Sequence, residues 1–221
     1  MKIYVTGCVG FIGFNLCYSL LKNKKNKVIG IDKASKSQSK LVKSKFQILS
    51  SFKNFEYLKV DISNSKLLEK VFIKQKPDIV IHLAAEAGVR KSITNPKIFL
   101  DANIVGFFNL IELIKKYKVK NLYFASSSSV YGDSLKYPTF ESLNTDFPLS
   151  LYGATKKCNE VIAYSYSYLY KINIVGFRFF TVYGPYGRPD MALFKFTKSI
   201  IEEKKINLHN YGNHVRDFTY I

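Results

Sequence analysis

The sequence predicts an α/β fold in which helices cover both faces of a doubly wound parallel sheet. Short runs rich in Val, Ile and Leu alternate with longer amphipathic stretches, a pattern typical of βαβ units. The predicted strands are 2–6, 27–31, 55–60, 78–83, 121–126 and 173–179. The predicted helices are 11–22, 64–75, 96–117 and 151–170. The Lys- and Ser-rich segment 33–54 is predicted to be an exposed loop with one weak helix at most.

We expect two parts in this chain of 221 residues, 1–180 and 181–221. The first part holds the strand–helix alternation and is long enough to bury its own core. After Phe180 the pattern changes to a Gly- and Pro-rich loop, a helix near 191–203 and short strands. Because the chain ends on the apolar run RDFTYI, we expect the second part to be incomplete and the chain to stop short of its natural end.

The net charge of +18 comes from 30 lysines and only four arginines. The lysines are spread along the chain, whereas nucleic-acid sites depend on clustered charge and on arginine, so no nucleic-acid partner is expected. No apolar stretch approaches the roughly 18 residues that a membrane span needs, so no membrane association is expected. The three cysteines and three histidines have neither disulfide nor metal-site spacing. These features favour a cytoplasmic protein without a bound metal.

A glycine cluster follows the first predicted strand. Gly7, Gly10 and Gly13 permit a tight turn, a close backbone approach to a pyrophosphate and close helix packing. The helix that begins there points its free N–H groups at the phosphates. Asp32 closes the second strand, 19 residues after Gly13, where a carboxylate can accept hydrogen bonds from a ribose. The context predicts a Rossmann-like site that prefers NAD to NADP, with Lys33 weakening that preference slightly.

Asp61 ends the third predicted strand and has two possible roles. It can lie against the adenine of the dinucleotide, or it can serve as the N-cap of the helix predicted over 64–75. The sequence leaves both roles open.

Tyr152 and Lys156 are four residues apart in a predicted helix and therefore share one face. A free tyrosine, with a pKa of about 10, is a poor base at neutral pH, but a nearby ammonium favours the phenolate. The serines 126–129 follow a strand end, where parallel sheets bind ligands, so a hydroxyl there could share a substrate proton with Tyr152. On spacing alone, a surface pair of an amphipathic helix would be the better interpretation, and the glycine loop upstream is what favours the functional one.

Five motifs together resemble the extended short-chain dehydrogenase/reductase family, and more narrowly its NAD-dependent nucleotide-sugar epimerases of the UDP-glucuronate 4-epimerase type. The motifs are TGCVGFIG, IHLAAEAGVRKS (81–92), SSSSVYG (126–132), YGATK (152–156) and RFFTVYGPYGRPDMALF (178–194). The resemblance covers essentially the whole chain. The predicted NAD-binding residues are Gly7, Gly10, Phe11, Ile12, Gly13, Asp32, Asp61, Ile62, Ala84 and Lys156.

The resemblance implies a 4-epimerisation with no net redox change. Tyr152 takes the proton of the sugar 4-hydroxyl, Ser127 shares it and Lys156 supports the phenolate, while a hydride passes from C4 to tightly held NAD. The resulting 4-keto sugar turns round and takes the hydride back on its other face. Sibling dehydratases and decarboxylases need acids where this chain has Ser128 and Ser129, and a serine cannot do the work of a carboxylate.

The resemblance also implies the substrate contacts. Thr181 and Arg188 would face the sugar carboxylate, Arg216 would hold the UDP diphosphate and Arg90 would lie near the pyrophosphates. The predicted substrate-binding residues are Arg90, Ser127, Ser128, Ser129, Thr181, Arg188 and Arg216. Arg178 is interpreted as structural, and His82 is interpreted as a packed residue at a strand end.

The partners implied by the resemblance are a UDP-sugar and a second copy of the chain, since relatives commonly form homodimers through long helices such as 96–117 and 151–170. The product would supply galacturonate for a surface polysaccharide. Glu86 and Lys91 depart from the Gln and aromatic residues more frequent in such relatives. Two alternatives stay open: an epimerase for UDP-glucose or another nucleotide sugar, and a non-catalytic module that binds NAD or a nucleotide sugar.

Overall fold

The structure, a computed structural model, describes residues 1–34, 39–133, 138–213 and 217–221. It divides into two compact units, Met1–Arg178 and Phe179–Ile221. The first unit contains a six-stranded sheet, and its parallel strands with helices on both faces confirm the predicted fold class. Within the described ranges, no helix combines the length and the apolar composition needed to cross a bilayer.

The sheet of the first unit has the strand order β3-β2-β1-β4-β5-β6, and each neighbouring pair is parallel. Its strands are β1 (Lys2–Thr6), β2 (Lys27–Asp32), β3 (Phe55–Lys59), β4 (Ile79–His82), β5 (Asn121–Ala125) and β6 (Asn173–Phe177). Thr6, the last residue of β1, pairs with Ile31 on one side and with His82 on the other. The strand order reverses between β1 and β4, so the loops at their carboxyl ends diverge and leave a crevice for a ligand.

Helices cover both faces of this sheet. They are α1 (Phe11–Leu21), α2 (Lys40–Ser50), α3 (Ser65–Lys74), α4 (Val89–Thr94), α5 (Pro96–Phe99), α6 (Gly106–Lys116) and α7 (Leu151–Tyr170). Ile3 and Val5 of β1 pack with α1 and α2 on one face, while Tyr4 between them packs with α3 and α6 on the other. Alternation of side chains along β1 thus builds two hydrophobic cores from one strand.

The segment 33–54 contains a well-formed helix, α2, rather than a mainly exposed loop. Ser39 caps it with its side chain, and Phe46 and Leu49 are buried against the sheet. Lys45 is buried as well, and its ammonium donates to the carbonyl of Val9 at 3.3 Å. A lysine with an apolar stem can join a packed helix face when its ammonium finds an acceptor. The segment therefore contains an amphipathic helix whose buried face includes a lysine, which its composition does not indicate.

The helix predicted over 96–117 is interrupted. After α5 the chain forms a π-helical turn, Leu100–Val105, and then continues as α6. The π turn carries Asn103, which is fully buried and hydrogen-bonds the backbone N–H and C=O of Glu86 at 2.8 and 3.0 Å. Such turns occur frequently at functional sites. This one places the Asn103 amide against the backbone of the loop that follows β4.

The second unit is small. In it, β7 (Thr181–Tyr183) pairs in parallel with β8 (Phe218–Tyr220), and the rings of Tyr183 and Tyr220 lie 5.5 Å apart. The helix predicted near 191–203 is α8 (Ala192–Ile201). A short 3-10 segment, His209–Gly212, follows it.

Candidate active site

The loop between β1 and α1 is packed so closely that side chains have no room. Gly7 has a φ of +72°, and a Cβ added to it would lie 2.6 Å from the amide nitrogen of Ala84. A Cβ added to Gly13 would lie 2.0 Å from the carbonyl oxygen of Gly7. Gly10, the N-cap of α1, makes no side-chain cap, so the helix N-terminus is available to an anion. These features fit the dinucleotide that the sequence predicts.

A cavity of about 240 Å³ opens beside this loop at the carboxyl end of the sheet. Six of the predicted cofactor residues line it, namely Gly7, Gly10, Asp32, Asp61, Ile62 and Ala84. Three others, Phe11, Ile12 and Gly13, form the first turn of α1 behind the loop. Lys33, Ala34, Val42 and Val60 also belong to the wall, which is therefore mostly apolar with two acids at the ends of β2 and β3.

The backbone orients the carboxylate of Asp32. Its two oxygens accept hydrogen bonds from the N–H of Val9 at 3.2 Å and of Ala34 at 3.0 Å. Burial raises the pKa of Asp32, although these bonds and the adjacent Lys33 oppose the change. Fixing a carboxylate at the end of β2 leaves it able to accept from ribose hydroxyls and to repel a 2′-phosphate.

Asp61 is not a helix cap. Its Oδ1 accepts from the N–H and the hydroxyl of Ser63 at 2.9 and 2.8 Å, and the N-cap of α3 is Asn64. Burial opposes ionisation here, but the Ser63 hydrogen bonds and Lys33 hold the pKa of Asp61 below its usual range. The alternative of an N-cap role is therefore wrong, and the carboxylate faces the cavity instead.

Lys156 is buried, with only 2% of its surface exposed, in the second turn of α7. Its ammonium donates to the carbonyl of Ala125, the last residue of β5, at 2.7 Å. Burial lowers its pKa to about 8, so the ammonium remains charged at neutral pH. Tyr152, one turn earlier, is half-buried and packs edge-on against Phe99 at 6.2 Å. Lys156 is thus buried and anchored to the sheet, so the two residues are not an ordinary surface pair.

Ser127 lies where β5 ends and caps a 3-10 turn, Ser128–Tyr131. It is buried, and its Oγ accepts from the N–H of Ser129 at 3.2 Å, whereas Ser128 and Ser129 are half-buried. A Cβ added to Gly153, the neighbour of Tyr152, would lie 2.6 Å from the carbonyl oxygen of Ser129. Glycine at this position therefore lets the first turn of α7, which carries Tyr152, lie against the serine turn that Ser127 caps.

Sequence reasoning missed several residues that support this site. Asn103 donates to the hydroxyl of Thr155 at 3.0 Å, and that hydroxyl donates to the carbonyl of Tyr152 at 2.8 Å. The amide thereby links the loop after β4 to the first turn of α7. No local pattern indicates these contacts, because Asn103 is 17 residues from Glu86 and 52 from Thr155 and meets them only in the folded chain.

His82 is buried at the end of β4, as expected for a packed strand-end residue. Its Nδ1 lies 2.8 Å from the hydroxyl of Thr6, which also accepts from the N–H of Ala84 at 3.2 Å. Burial, together with the nearby Lys156 charge, lowers the pKa of His82 to about 3. The imidazole is therefore neutral, and its Nδ1 ties the end of β4 to the end of β1.

The predicted substrate residues lie in both units. Arg90 is exposed on α4 in the first unit. In the second unit, Thr181 begins β7, and Arg188 holds the carboxylate of Asp190 in a two-point contact at 3.0 and 2.5 Å. Arg216 lies outside the described residues. Among those described, no group of His, Cys, Asp and Glu side chains has an arrangement suited to a metal ion.

The arrangement in the first unit can perform one kind of chemistry. A phenol, a buried ammonium and a serine hydroxyl lie at the carboxyl end of β5, and the glycine loop lies two strands away at the end of β1. The phenol and ammonium can hold and move a proton. The glycine loop can hold a phosphate-bearing cofactor in the adjacent crevice.

Comparison with known proteins agrees with this geometry. Residues 3–221 match the NAD dependent epimerase/dehydratase family. The chain is 49% identical over 221 residues to "Protein CapI" of Staphylococcus aureus, covering all of this chain and 66% of that protein. It is 45% identical to the UDP-glucuronate 4-epimerase of Thermodesulfobacterium geofontis, covering 98% of this chain and 67% of that protein. The chain thus spans about two thirds of the length of these curated relatives.

Solved structures give the same result. The UDP-glucuronic acid 4-epimerase of Bacillus cereus, in complex with UDP-glucuronic acid and NAD, superimposes with a TM-score of 0.91 at 39% identity. The UDP-glucose 4-epimerase of Thermotoga maritima superimposes with a TM-score of 0.90 at 30% identity. Each match covers all of this chain and 69% of the other. The family match extends over nearly every residue, and the chain belongs to the NAD dependent epimerase/dehydratase family.

Proposed function

We propose that this protein is an NAD-dependent nucleotide-sugar 4-epimerase that interconverts UDP-glucuronate and UDP-galacturonate. The observation that carries the proposal is the docking of α7 on the end of β5. It buries Lys156 and sets Tyr152 and Ser127 on facing segments, next to a glycine loop suited to a dinucleotide. A protein that only binds a nucleotide has no need of that second arrangement.

The chain's own residues would handle the proton. Tyr152, as phenolate, takes the proton of the sugar 4-hydroxyl, and the Ser127 hydroxyl shares it. The Lys156 ammonium stabilises the phenolate by its charge. NAD, which the glycine loop and Asp32 would hold, would supply the hydride acceptor and donor. The proton and hydride both return to the sugar, so the reaction consumes no cofactor.

The choice of a uronate rests on Arg188 in the second unit. Its guanidinium pairs with the carboxylate of Asp190 through Nε and Nη2, a contact that a sugar carboxylate would have to replace. A planar fork suits a carboxylate better than a hydroxyl, which supports UDP-glucuronate over UDP-glucose. The high similarity to enzymes named UDP-glucuronate 4-epimerase supports the same choice. Arg90 of the first unit, and Thr181 and Arg216 of a substrate lobe that begins near residue 181, complete the proposed substrate contacts.

The test is to incubate the full protein with UDP-glucuronate, without added cofactor, and to separate the nucleotide sugars by chromatography. Formation of UDP-galacturonate would support the reaction, the sugar and a resident NAD together. Conversion of UDP-glucose but not of UDP-glucuronate would overturn the proposal that Arg188 binds the sugar carboxylate. Absence of conversion with both sugars, even after NAD is added, would favour the non-catalytic module.

The variant Tyr152→Phe tests the assignment of the base. Removing the hydroxyl should lower kcat by about 1,000-fold or more, because the general base is lost, while NAD stays bound. Tyr117→Phe is a matched control at the C-cap of α6, where the hydroxyl makes a long 3.4 Å contact with Glu69. Equal activity of Tyr152→Phe and Tyr117→Phe would remove Tyr152 from the mechanism.

We also propose that the protein is a cytoplasmic homodimer. Phe108 of α6 is 47% exposed and Tyr164 of α7 is 76% exposed, and Val105, Val161 and Tyr168 extend this apolar surface. A second copy of the same helices would cover it. The three cysteines are free, as in a reducing compartment. Light scattering that gives the mass of one chain at high concentration would contradict the dimer. The proposed product would be used to build a surface polysaccharide.

A further inference from the structure

Glu160 continues the face of α7 that carries Tyr152 and Lys156, one turn beyond the lysine. Its Oε1 accepts from the hydroxyl of Ser126 at 2.5 Å. The guanidinium of Arg178 donates to both oxygens, from Nε to Oε1 at 3.0 Å and from Nη2 to Oε2 at 2.9 Å. The carboxylate therefore joins three segments: α7, the residue after β5 and the residue after β6.

Glu160 and Lys156 contact consecutive residues at the end of β5. Lys156 donates to the carbonyl of Ala125, and Glu160 accepts from Ser126 one turn later on the helix. These two contacts join successive turns of α7 to the neighbouring residues Ala125 and Ser126. Together they allow only one register of α7 along β5. That register determines where Tyr152 lies relative to Ser127.

Arg178 holds the serine turn from its other end. Its Nη1 donates to the hydroxyl of Tyr131 at 3.1 Å and to the carbonyl of Glu141 at 2.9 Å. The guanidinium also lies over the ring of Tyr131, 4.9 Å from its centre. Tyr131 ends the 3-10 turn that Ser127 caps, so the turn is fixed at both ends.

The pair is shielded enough for these contacts to be specific. The side chains of Arg178 and Glu160 are 22% and 17% exposed. Two parallel hydrogen bonds to a planar fork fix orientation as well as distance. Replacing the carboxylate leaves a half-buried guanidinium without its counter-charge. The hydrogen bonds of Ser126 with Glu160 and of Tyr131 with Arg178 are then both weakened.

We propose that Glu160 and Arg178 are positioning residues that keep the Ser127 turn in register with Tyr152 and Lys156. The inference rests on the proposed function for its effect on rate, since neither residue touches the reacting atoms. From the sequence, Arg178 is interpreted as structural. That role becomes specific here, because the segment that Arg178 holds is the turn that Ser127 caps.

The experiment compares Glu160→Gln and Ser126→Ala with the wild type in the full protein. Displacements of about 1 Å lower rates by about 100-fold, so Glu160→Gln should lower kcat by about 30- to 100-fold. Ser126→Ala, which leaves the ion pair intact, should lower kcat about 5- to 10-fold. The KM for the sugar and the binding of NAD should change by less than about 3-fold, because the glycine loop is untouched.

Glu112→Gln is the matched control. Glu112 bonds Lys115 and the hydroxyl of Tyr166, so it also ties α7 to a neighbouring element, but away from the serine turn. It should leave kcat within about 2-fold of the wild type. A fall in kcat equal to that of Glu160→Gln would show a general loss of packing and would overturn the proposal.

Hydrogen–deuterium exchange gives a readout that needs no turnover. Glu160→Gln should speed exchange at least about 10-fold in 126–131 and 151–156, and Glu112→Gln should not. Unchanged exchange, or faster exchange with unchanged kcat, would overturn the positioning role. If the wild type converts no sugar, the proposed function fails, and exchange alone still decides whether the pair holds the turn.

Discussion

The cofactor side and the catalytic side of the sheet are built in different ways. The cofactor side consists of β1, α1 and the end of β2, and its critical contacts are between backbone atoms brought close by Gly7 and Gly13. The catalytic side is built from side chains of separate segments, with Lys156 and Glu160 anchored to the end of β5. A site made of backbone atoms depends on the lack of side chains at a few residues close together in the sequence. A side-chain site depends on contacts between distant residues, and it should fail by loss of rate rather than of binding.

Gly13→Ala should break the cofactor side with the largest effect. The added Cβ would lie 2.0 Å from the carbonyl oxygen of Gly7, so the loop or the helix must move. We expect NAD affinity to fall by about 1,000-fold or more, since the phosphates depend on this close approach. The measurement is titration of the purified protein with NAD by calorimetry.

Gly176→Ala separates this effect from a general loss of stability. Its Cβ would meet the ring of Phe124 at 2.6 Å, far from the glycine loop in the sheet order. It should destabilise the fold while each folded molecule still binds NAD normally. Normal NAD affinity in Gly13→Ala would show that the close packing of this loop does not serve the cofactor.

Acid should destabilise the fold through the buried imidazole of His82. Its pKa is about 3 in the folded protein and about 6.5 when exposed, so the unfolded chain binds more protons between these values. Stability therefore falls as the pH falls, by about 2 to 3 kcal/mol between pH 6 and pH 4 for this group. In His82→Leu, this part of the pH dependence should disappear.

Urea unfolding of the wild type and His82→Leu at pH 6, 5 and 4 provides the measurement. Other groups titrate in both proteins, so the difference between the two free energies of unfolding isolates the imidazole. A difference that stays constant with pH would mean that His82 is protonated in the folded protein.

The smallest expected effect concerns cofactor choice. Lys33, next to Asp32 in the cavity wall, donates to Glu86 at 2.8 Å, and Lys91 donates to the other oxygen at 2.7 Å. Glu86→Gln should release the Lys33 ammonium to a 2′-phosphate and raise NADP affinity relative to NAD by about 3- to 10-fold. Lys91→Gln is the control, because it leaves the Lys33–Glu86 pair in place. An unchanged ratio in Glu86→Gln would mean that Lys33 does not influence the choice.

The same contrast explains how much could be predicted from sequence. The glycine loop can be predicted because its residues are adjacent and their spacing has a direct physical meaning. Tyr152 and Lys156 can be predicted as a pair because they belong to one helix turn. Glu160 lies on the same face, but its partners are 34 and 18 residues away, and a lone glutamate on a helix carries no signal of them.

Two elements differ from the prediction for a related reason. The lysines of segment 33–54 predict a mostly exposed loop, but the segment contains α2, because Lys45 finds a carbonyl acceptor inside the fold. The helix predicted over 96–117 contains a π turn because Asn103 must reach the backbone of Glu86. In both cases the deciding partner lies more than 15 residues away, and periodicity records only local patterns.

The π turn at Leu100–Val105 restricts how the length of this protein can vary. Such a turn holds one residue more than an α turn, so deleting one residue would allow a continuous helix. The helix on one side would then rotate by about 100° relative to the other. Either Asn103 would leave Glu86, or Phe107 and Leu110 would leave the core. A single-residue deletion that improves the local helix would therefore dismantle the tertiary structure, so this stretch can vary by substitution but not in length.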